Sequence, residues 1–519
     1  MRYLKLRIQK FMRISIYMVS FLFCIYLIND IRHPQISKLP TASMDHATKI
    51  ILQNNNMQNV FEVHTVGNFT SRLAEFNDFL SHMRSEELKR YGSGVWQRPI
   101  SSRLNVVLET TTDYIQQLSN YSNVKTVLLP WLTSSSLTPP VWRSNHDYSN
   151  LLIQTYHTWT VEEKLCTYFE RTEELKMQHG LPYKCYDNPV DTEQRLQPRL
   201  SAGQHDYDYC FPGHFYINVS SFVFVIHIHR DAIVTGLGDV FSGNYKLVLR
   251  TCRRDMFPFV PFNELENVPL YNELFVINQY WGYGYFHFMV EVVPRIALCI
   301  DFLKMNPQIH ILVPRVRGNM ADVFTVIGLK NSRLVTGNAR AKIAYHPKST
   351  ACGIANLQEI QFLSELYRNY TERTLFPQPR NKLILIRRSG TRRFTEQQKI
   401  EEVVKNAAEN YSLTYTLYID NPPPSLNQTM MMFHSAVMIV GPHGAGLSNM
   451  LFSQPGTFII EGLCYLPVVN VCYQRLAVVL GHRWHGIISR SGCPRVVDVS
   501  AESVGQAVRN SLCEKLLEQ

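Results

Sequence analysis

The chain has 519 residues, 45% of them hydrophobic and 18% charged, which allows two or three globular units and excludes a largely disordered protein. Its formal net charge of +10 raises nucleic acid as a partner, but Arg2, Lys5, Arg7, Lys10 and Arg13 place five positive charges in the first thirteen residues with no acid among them. That local basic tail accounts for half of the excess, and no nucleic-acid partner is expected.

From Ile14 to Ile28 the chain reads ISIYMVSFLFCIYLI, close to the lower limit of about 17 residues for a membrane span once Phe11 and Met12 are included. A cleaved signal peptide and a signal anchor are the two readings. No A-x-A-like cleavage site follows, and the run ends in Asn29-Asp30-Ile31-Arg32, which favours the anchor. By the positive-inside rule residues 1–13 form a cytosolic tail, 14–29 the single span, and the remainder is luminal. So short a span suits the thinner early secretory membranes.

A luminal chain is open to N-glycosylation and disulfide formation. Sequons occur at Asn68, Asn120, Asn218, Asn369, Asn410 and Asn427. Ten of the eleven cysteines follow the span, and none forms a C-x-x-C pair, so disulfides are expected rather than a zinc ribbon.

Residues 30–95 are rich in Asn, Gln and Ser and read as a stem. The segment SFVFVIHIHRDAIVTGLGDV is strand-like and ends at glycines. ELFVINQ then reads as a strand, WGYGY as a turn and FHFMVEVVPRIALCIDFL as a buried helix despite Pro294. QIHILVP, ADVFTVIGL and RLVT continue as strand, helix and strand. A second alternation follows LFPQPRN: KLILIRR, YSLTYTLYI, VMIVG and TFIIEG are strands, and FTEQQKIEEVVKNAAEN, SLNQTMMMFHSA, AGLSNMLFSQ and VGQAVRNSLCEKLLEQ are helices. The expected architecture is α/β, with two Rossmann-like lobes at 96–375 and 376–519 and a cleft between them.

The motif richest in chemistry is VMIVGPHGAGLSNMLF. An apolar strand stops at Gly441, Gly444 and Gly446 let the backbone approach a ligand, and a helix then opens whose N-terminus suits a diphosphate. His443 adds a hydrogen bond or a charge. A plain strand-to-helix turn explains the same glycines. Glu461 lies twenty residues beyond Gly441, where an acid holds ribose hydroxyls in dinucleotide folds. The spacing G-x-x-G-x-G departs from G-x-G-x-x-G, which counts against NAD, and no G-x-S-x-G elbow supports an esterase.

Upstream, Arg387, Arg388, Arg392 and Arg393 close a strand and supply forked donors for phosphate, unless they are a solvated basic surface. His287 and Glu291 stand four apart beside the glycine-aromatic turn, so they share a helical face, either as a base for a hydroxyl proton or as a satisfied core pair. Asp206 and Asp208 form a D-x-D pair without an apolar strand before it, and His227 and His229 share a strand face without an evident third ligand. Neither is taken as a metal site.

The blocks YWGYGYFHFMVEVVPR, LILIRRSGTRRF, LNQTMMMFHSA and VMIVGPHGAGLSNMLFSQPGTFIIE resemble glycosyltransferase family 61 over about residues 215–480. The resemblance implies a GT-B-type fold and inverting transfer from a UDP-sugar, with xylose or GlcNAc the donors in view. It puts Arg387, Arg388, His443, Gly444, Ala445 and Gly446 at the donor, and the ribose role read from the position of Glu461 carries over to a UDP-type donor. Glu291 or His287 is nearest the reacting acceptor hydroxyl. It further implies a glycan or glycoprotein acceptor, no metal or other cofactor, and a type II Golgi location, the ER being the alternative. A non-catalytic luminal glycan-binding member of the same fold is the competing function, and an NAD oxidoreductase comes third.

Overall fold

A computed structural model describes residues 60–62, 69–91, 105–108, 114–130, 223–249, 268–315, 320–350, 352–353, 355–377, 379–466, 468–469, 472–489 and 495–518. The expected span at 14–29, the cytosolic tail, the sequons at Asn68 and Asn218, and the Asp206–Asp208 pair lie outside the described residues. Among the described residues no helix is long and apolar enough to cross a membrane. Asn56–Gln519 forms one compact unit.

Its first sheet is mixed and has ten strands. They are β1 (Val60–Glu62), β2 (Asn105–Leu108), β3 (Val124–Pro130), β4 (Val223–Val234), β5 (Val240–Ser242), β6 (Tyr245–Val248), β7 (Leu270–Val276), β8 (His310–Leu312), β9 (Leu334–Val335) and β10 (Ala339–Pro347). The parallel strands β7-β8-β9 are the α/β part read from the sequence, and β10 extends them in parallel beside β7. Around β4 the pairing is antiparallel instead, with β3, β5 and β10 all opposed to it. A purely Rossmann-like lobe is therefore not what 96–375 builds. Hairpins replace crossovers here, and Gly243, at φ 58°, opens the two-residue turn from β5 to β6.

The helices are α1 (Phe69–Tyr91), α2 (Tyr114–Ser119), α3 (Tyr285–His287), α4 (Ile300–Met305), α5 (Asp322–Val326), α6 (Leu357–Tyr370), α7 (Gln397–Asn410), α8 (Leu426–His434), α9 (Cys472–Val479) and α10 (Ala501–Glu518). α1 corrects the stem assignment. Its Leu73, Phe76, Leu80 and Met83 repeat at helical spacing and are buried in the core. Asn77 donates to the Leu298 carbonyl at 3.1 Å and accepts from the Phe302 amide at 2.9 Å. Arg84 pairs with Glu273 at 2.7 Å, and Glu87 holds Lys125 at 2.8 Å and also Arg230. The many polar residues of this stretch hide an apolar stripe, so residues 69–91 belong to the folded body.

The second sheet is wholly parallel. Its strands are β11 (Lys382–Arg387), β13 (Thr414–Ile419), β14 (Ala436–Pro442), β15 (Phe458–Leu463) and β18 (Arg483–Ile488), in the order β13-β11-β14-β15-β18. The short pairs β12 (Arg393–Phe394) with β19 (Val496–Val497) and β16 (Tyr465–Leu466) with β17 (Val468–Val469) flank it. In sheet order the strands run second, first, third, fourth, fifth, so the winding reverses between β11 and β14. Ligands of open α/β sheets bind at the carboxyl ends of the strands at that reversal.

α7 and α10 cover one face of this sheet. On the other face a core continuous with the first sheet includes Tyr367 of α6, Ile384, Ile439 and Phe288. α6, β10, α9 and β18 are additions to the sequence reading. Asn356 caps α6 by accepting from the Gln358 and Glu359 amides at 3.1 and 3.2 Å. Of the described sequons, Asn120, Asn410 and Asn427 are exposed and Asn369 is half-buried on α6.

Candidate active site

Tyr285–Met305 is one irregular helical run. α3 passes into a π-helical turn (Phe288–Val292), then a 3-10 stretch (Val293–Cys299), then α4. Pro294 has no N–H to give to a preceding carbonyl, which suits the change of winding at that point. Such π turns recur at functional sites.

His287 and Glu291 bracket this turn. Glu291 Oε2 lies 3.0 Å from His287 Nδ1 and accepts from Gln279 Nε2 at 2.6 Å, while Oε1 accepts from the Gly353 amide at 2.7 Å. Its side chain is fully buried, whereas that of His287 is 25% exposed. Glu291 is therefore enclosed by donors and unable to meet a substrate hydroxyl. It can fix the tautomer and ring orientation of His287, leaving the imidazole as the group of the pair that reaches the surface.

At the winding reversal β11 ends in Arg387 with Arg388 just beyond it, and β14 leads to His443 and Gly444. The two arginines part company. Arg387 pairs with Glu401 of α7, whereas Arg388 reaches Asp420 at 3.6 Å and the His443 carbonyl at 3.4 Å. Burial first, and then the neighbouring Arg392, lower the Arg388 pKa from its ordinary value, with Asp420 opposing the shift. Two guanidiniums thus repel one another in a partly dry site, and an anionic ligand would relieve that repulsion.

The glycines of the β14 motif divide as well. A Cβ on Gly444 would stand 1.5 Å from Arg388 Nη1, whereas Cβ atoms on Gly441 and Gly446 would meet Ile386 at 3.1 and 3.0 Å. Gly444 makes room for a functional side chain, and the other two serve packing on β11. The expected helix after Gly444 is a 3-10 stretch, Ala445–Phe452, with Ala445 and Gly446 half-buried at its start.

Glu461 has a different role from the ribose contact expected of it. Fully buried, it lies 2.6 Å from His443 Nδ1 through Oε1 and accepts from Trp484 Nε1 at 2.8 Å through Oε2. Both oxygens are engaged inside the lobe, which makes Glu461 the orienting partner of His443.

These elements converge on α9, which the sequence reading missed. Tyr473 packs edge-on against His443 at 5.0 Å and against Phe286 at 5.2 Å. The buried Cys472 thiol is pushed well above its ordinary pKa by burial and by both Glu461 and Glu291, so it stays protonated and lies within electrostatic reach of both His–Glu pairs. Tyr285 Oη donates to Asn449 Oδ1 at 2.6 Å across the same junction. An α-helix with its Tyr-Gln-Arg run gave no motif by which to single it out.

The family model described as Glycosyltransferase 61 matches residues 285–460, from α3 through β11 and β14 to the strand carrying Glu461. The chain carries a family 61 glycosyltransferase region. No curated protein matches the chain. The family 61 match takes in His287, Glu291, Arg387, Arg388 and the whole of His443–Gly446.

The histidine pair of β4 gains a third member. His346 of β10 faces His227 in register, and the rings of His227, His229 and His346 lie 5.8 to 6.2 Å apart. Their other partners are Thr126 Oγ1, Tyr245 Oη and Arg295 Nη2. Burial lowers all three, His229 to about 3, so they are neutral core groups. Among the described residues no cluster of His, Cys, Asp or Glu is arranged to hold a metal ion.

Proposed function

We propose that the chain is an inverting, GT-B-type glycosyltransferase that moves xylose or GlcNAc from a UDP-sugar to a glycan or glycoprotein acceptor. The carrying observation is that Tyr473 of α9 links the two His–Glu pairs, packing on His443 at 5.0 Å and on Phe286, the neighbour of His287, at 5.2 Å. Bound between them, an acceptor hydroxyl gives its proton to His287 while its oxygen attacks the anomeric carbon opposite the leaving group. The bond from that carbon to the β-phosphate oxygen breaks, and UDP leaves with the electron pair. Arg388 and Arg392 balance the charge that grows on the diphosphate, work for which no metal is invoked. One displacement inverts the anomeric centre. Glu291 and Glu461 are positioning residues for His287 and His443, Ala445 lines the donor mouth, and Gly446 packs beneath it on Ile386.

We place the catalytic part in the lumen of the Golgi, behind a type II single-span anchor at 14–29, with the ER as the alternative. Cys352, Cys464 and Cys513 are disulfide-bonded, which suits an oxidising compartment. Exposure of Asn120, Asn410 and Asn427 fits glycosylation there.

The test is calorimetric titration of the full chain with UDP, UDP-xylose, UDP-GlcNAc, GDP and NADH, alongside thermal unfolding. A ligand at 100 times its Kd adds roughly 2.7 kcal/mol. Stabilisation by UDP, lost in Arg388→Ala, is expected, and the better sugar nucleotide names the donor. Silence toward every nucleotide would sink the proposal and leave the glycan-binding reading; a response to NADH alone would favour the oxidoreductase.

A further inference from the structure

Among the described residues six large hydrophobic side chains are exposed, and two of them, Trp281 and Tyr283, are in ring contact at 5.5 Å. Trp281 is 41% and Tyr283 50% exposed. Tyr280 meets Trp281 edge-on at 5.2 Å, extending the aromatic surface inward. A bulky residue is an outlier in the left-handed region, yet Trp281 has φ 62°. A bulky side chain held there strains the backbone, and such strain persists only when the surroundings impose it.

The surroundings do impose it. The Gly282 amide donates to the Gln279 carbonyl at 3.1 Å, and the Gly284 amide to the Trp281 carbonyl at 2.8 Å. Gly282 is wedged so tightly that a Cβ would stand 2.9 Å from Gln279 O, 3.0 Å from Pro314 Cγ and 3.0 Å from Val292 Cγ2. Gln279, at the root of this turn, also donates to Glu291. A Cβ on Gly284 would sit 3.4 Å from the His287 ring. The exposed rings are thus tied to both members of the His–Glu pair by one short, hydrogen-bonded turn.

We propose that Trp281 and Tyr283 form a saccharide platform that seats a sugar ring of the acceptor beside His287. This rests on the transferase reading above and deepens it: the acceptor is recognised as carbohydrate, not only as polypeptide. A pyranose has an apolar face of axial C–H groups and a rim of hydroxyls. An aromatic face covers the first while leaving the second to water or to polar neighbours, and Trp and Tyr suit such half-wet sites. A protein partner would need about 800 Å² on this side. The turn instead sinks at Gly282 and is only half exposed at Tyr280 and Gly284, so the aromatic surface ends after two side chains, the size of one or two sugar rings.

The test titrates the full chain with xylohexaose, chitohexaose and mannohexaose, and separately with UDP. The variants are Tyr283→Ala and Trp281→Asn, because Asn tolerates the left-handed backbone. Binding of at least one oligosaccharide by the wild type, weakened tenfold or more in both variants with UDP affinity unchanged, is the expected result. Equal oligosaccharide binding in wild type and variants would overturn the platform, as would no binding of any of the three. UDP binding without sugar binding would remove the platform and keep the transferase reading. Platform-dependent sugar binding without any nucleotide response would do the reverse.

Discussion

The guanidinium of Arg388 occupies the space that a side chain at position 444 would need, 1.5 Å from where a Cβ on Gly444 would lie. A glycine conserves no interaction of its own here; its missing side chain lets an arginine cross the carboxyl end of β14 at the winding reversal. Gly444→Ala is expected to displace Arg388 and weaken UDP binding at least tenfold. The obstructing atoms are the end of a flexible side chain, so the fold should survive with a loss of about 1–3 kcal/mol. Calorimetry with UDP and a denaturant titration measure the two effects separately.

Arg387 and Arg388 are adjacent in sequence and face different partners, which makes them a matched pair for mutation. Arg388→Ala should reduce UDP affinity by at least tenfold. Arg387→Ala should leave it within threefold and lose only a partly exposed ion pair with Glu401, worth about 0–1 kcal/mol. Equal losses of UDP affinity in the two variants would contradict the division described here.

Glu291→Gln keeps the size of the side chain and removes the charge that favours an Nδ1–H tautomer on His287. Loss of general-base function lowers transfer by about 10²–10⁴-fold. Steady-state kinetics should show the loss in kcat, with UDP binding retained. A fall in UDP affinity with kcat preserved would remove Glu291 from the acceptor side.

Two kinds of buried group give stability opposite dependences on pH. Burial raises Glu359 to about 8 from an ordinary 4.5, so the folded chain keeps a proton that the unfolded chain has lost. Its contribution is full below 4.5 and is lost as pH rises through 8. Burial also lowers His229, His482 and His485 to about 3 from 6.5. Their contribution is present above 6.5 and is lost as pH falls toward 3. Urea midpoints against pH should decline on both sides, and Glu359→Gln should flatten the decline between 6.5 and 8 while leaving the acid side in place. Each proton accounts for at most about 1.4 kcal/mol per pH unit.

Glu87 of α1 neutralises Lys125 and Arg230 inside the first sheet's cover. Glu87→Ala removes the carboxylate between two buried cations and is expected to destabilise by about 3–5 kcal/mol. A denaturation midpoint unchanged from wild type would return residues 69–91 to the stem.

Much of the second sheet was legible in the sequence. KLILIRR, YSLTYTLYI, VMIVG and TFIIEG are short apolar runs closed by turn residues or charges, and each became a strand. β18 was not legible, because RWHGII has two polar residues and a glycine among six. The mixed pairing around β4 was equally hidden, since an apolar strand carries no mark of the direction of its neighbour. α1 was missed for the opposite reason, its buried stripe being diluted by polar residues.

The sequence by itself singled out the candidate residues: His287 and Glu291 four apart, arginines closing one strand, and glycines following another. Those are local patterns, and local backbone geometry is enough to read them. Only the tertiary structure decided how the roles divide. Glu291 is closed in by Gln279 of the neighbouring turn and by Gly353, sixty-two residues on, and Glu461 by Trp484 of another strand. Arg388, and not Arg387, faces Gly444, because of which side of β11 each leaves. Burial and partner identity depend on chain segments brought together by folding, and they separate an enclosed side chain from one that reaches the surface.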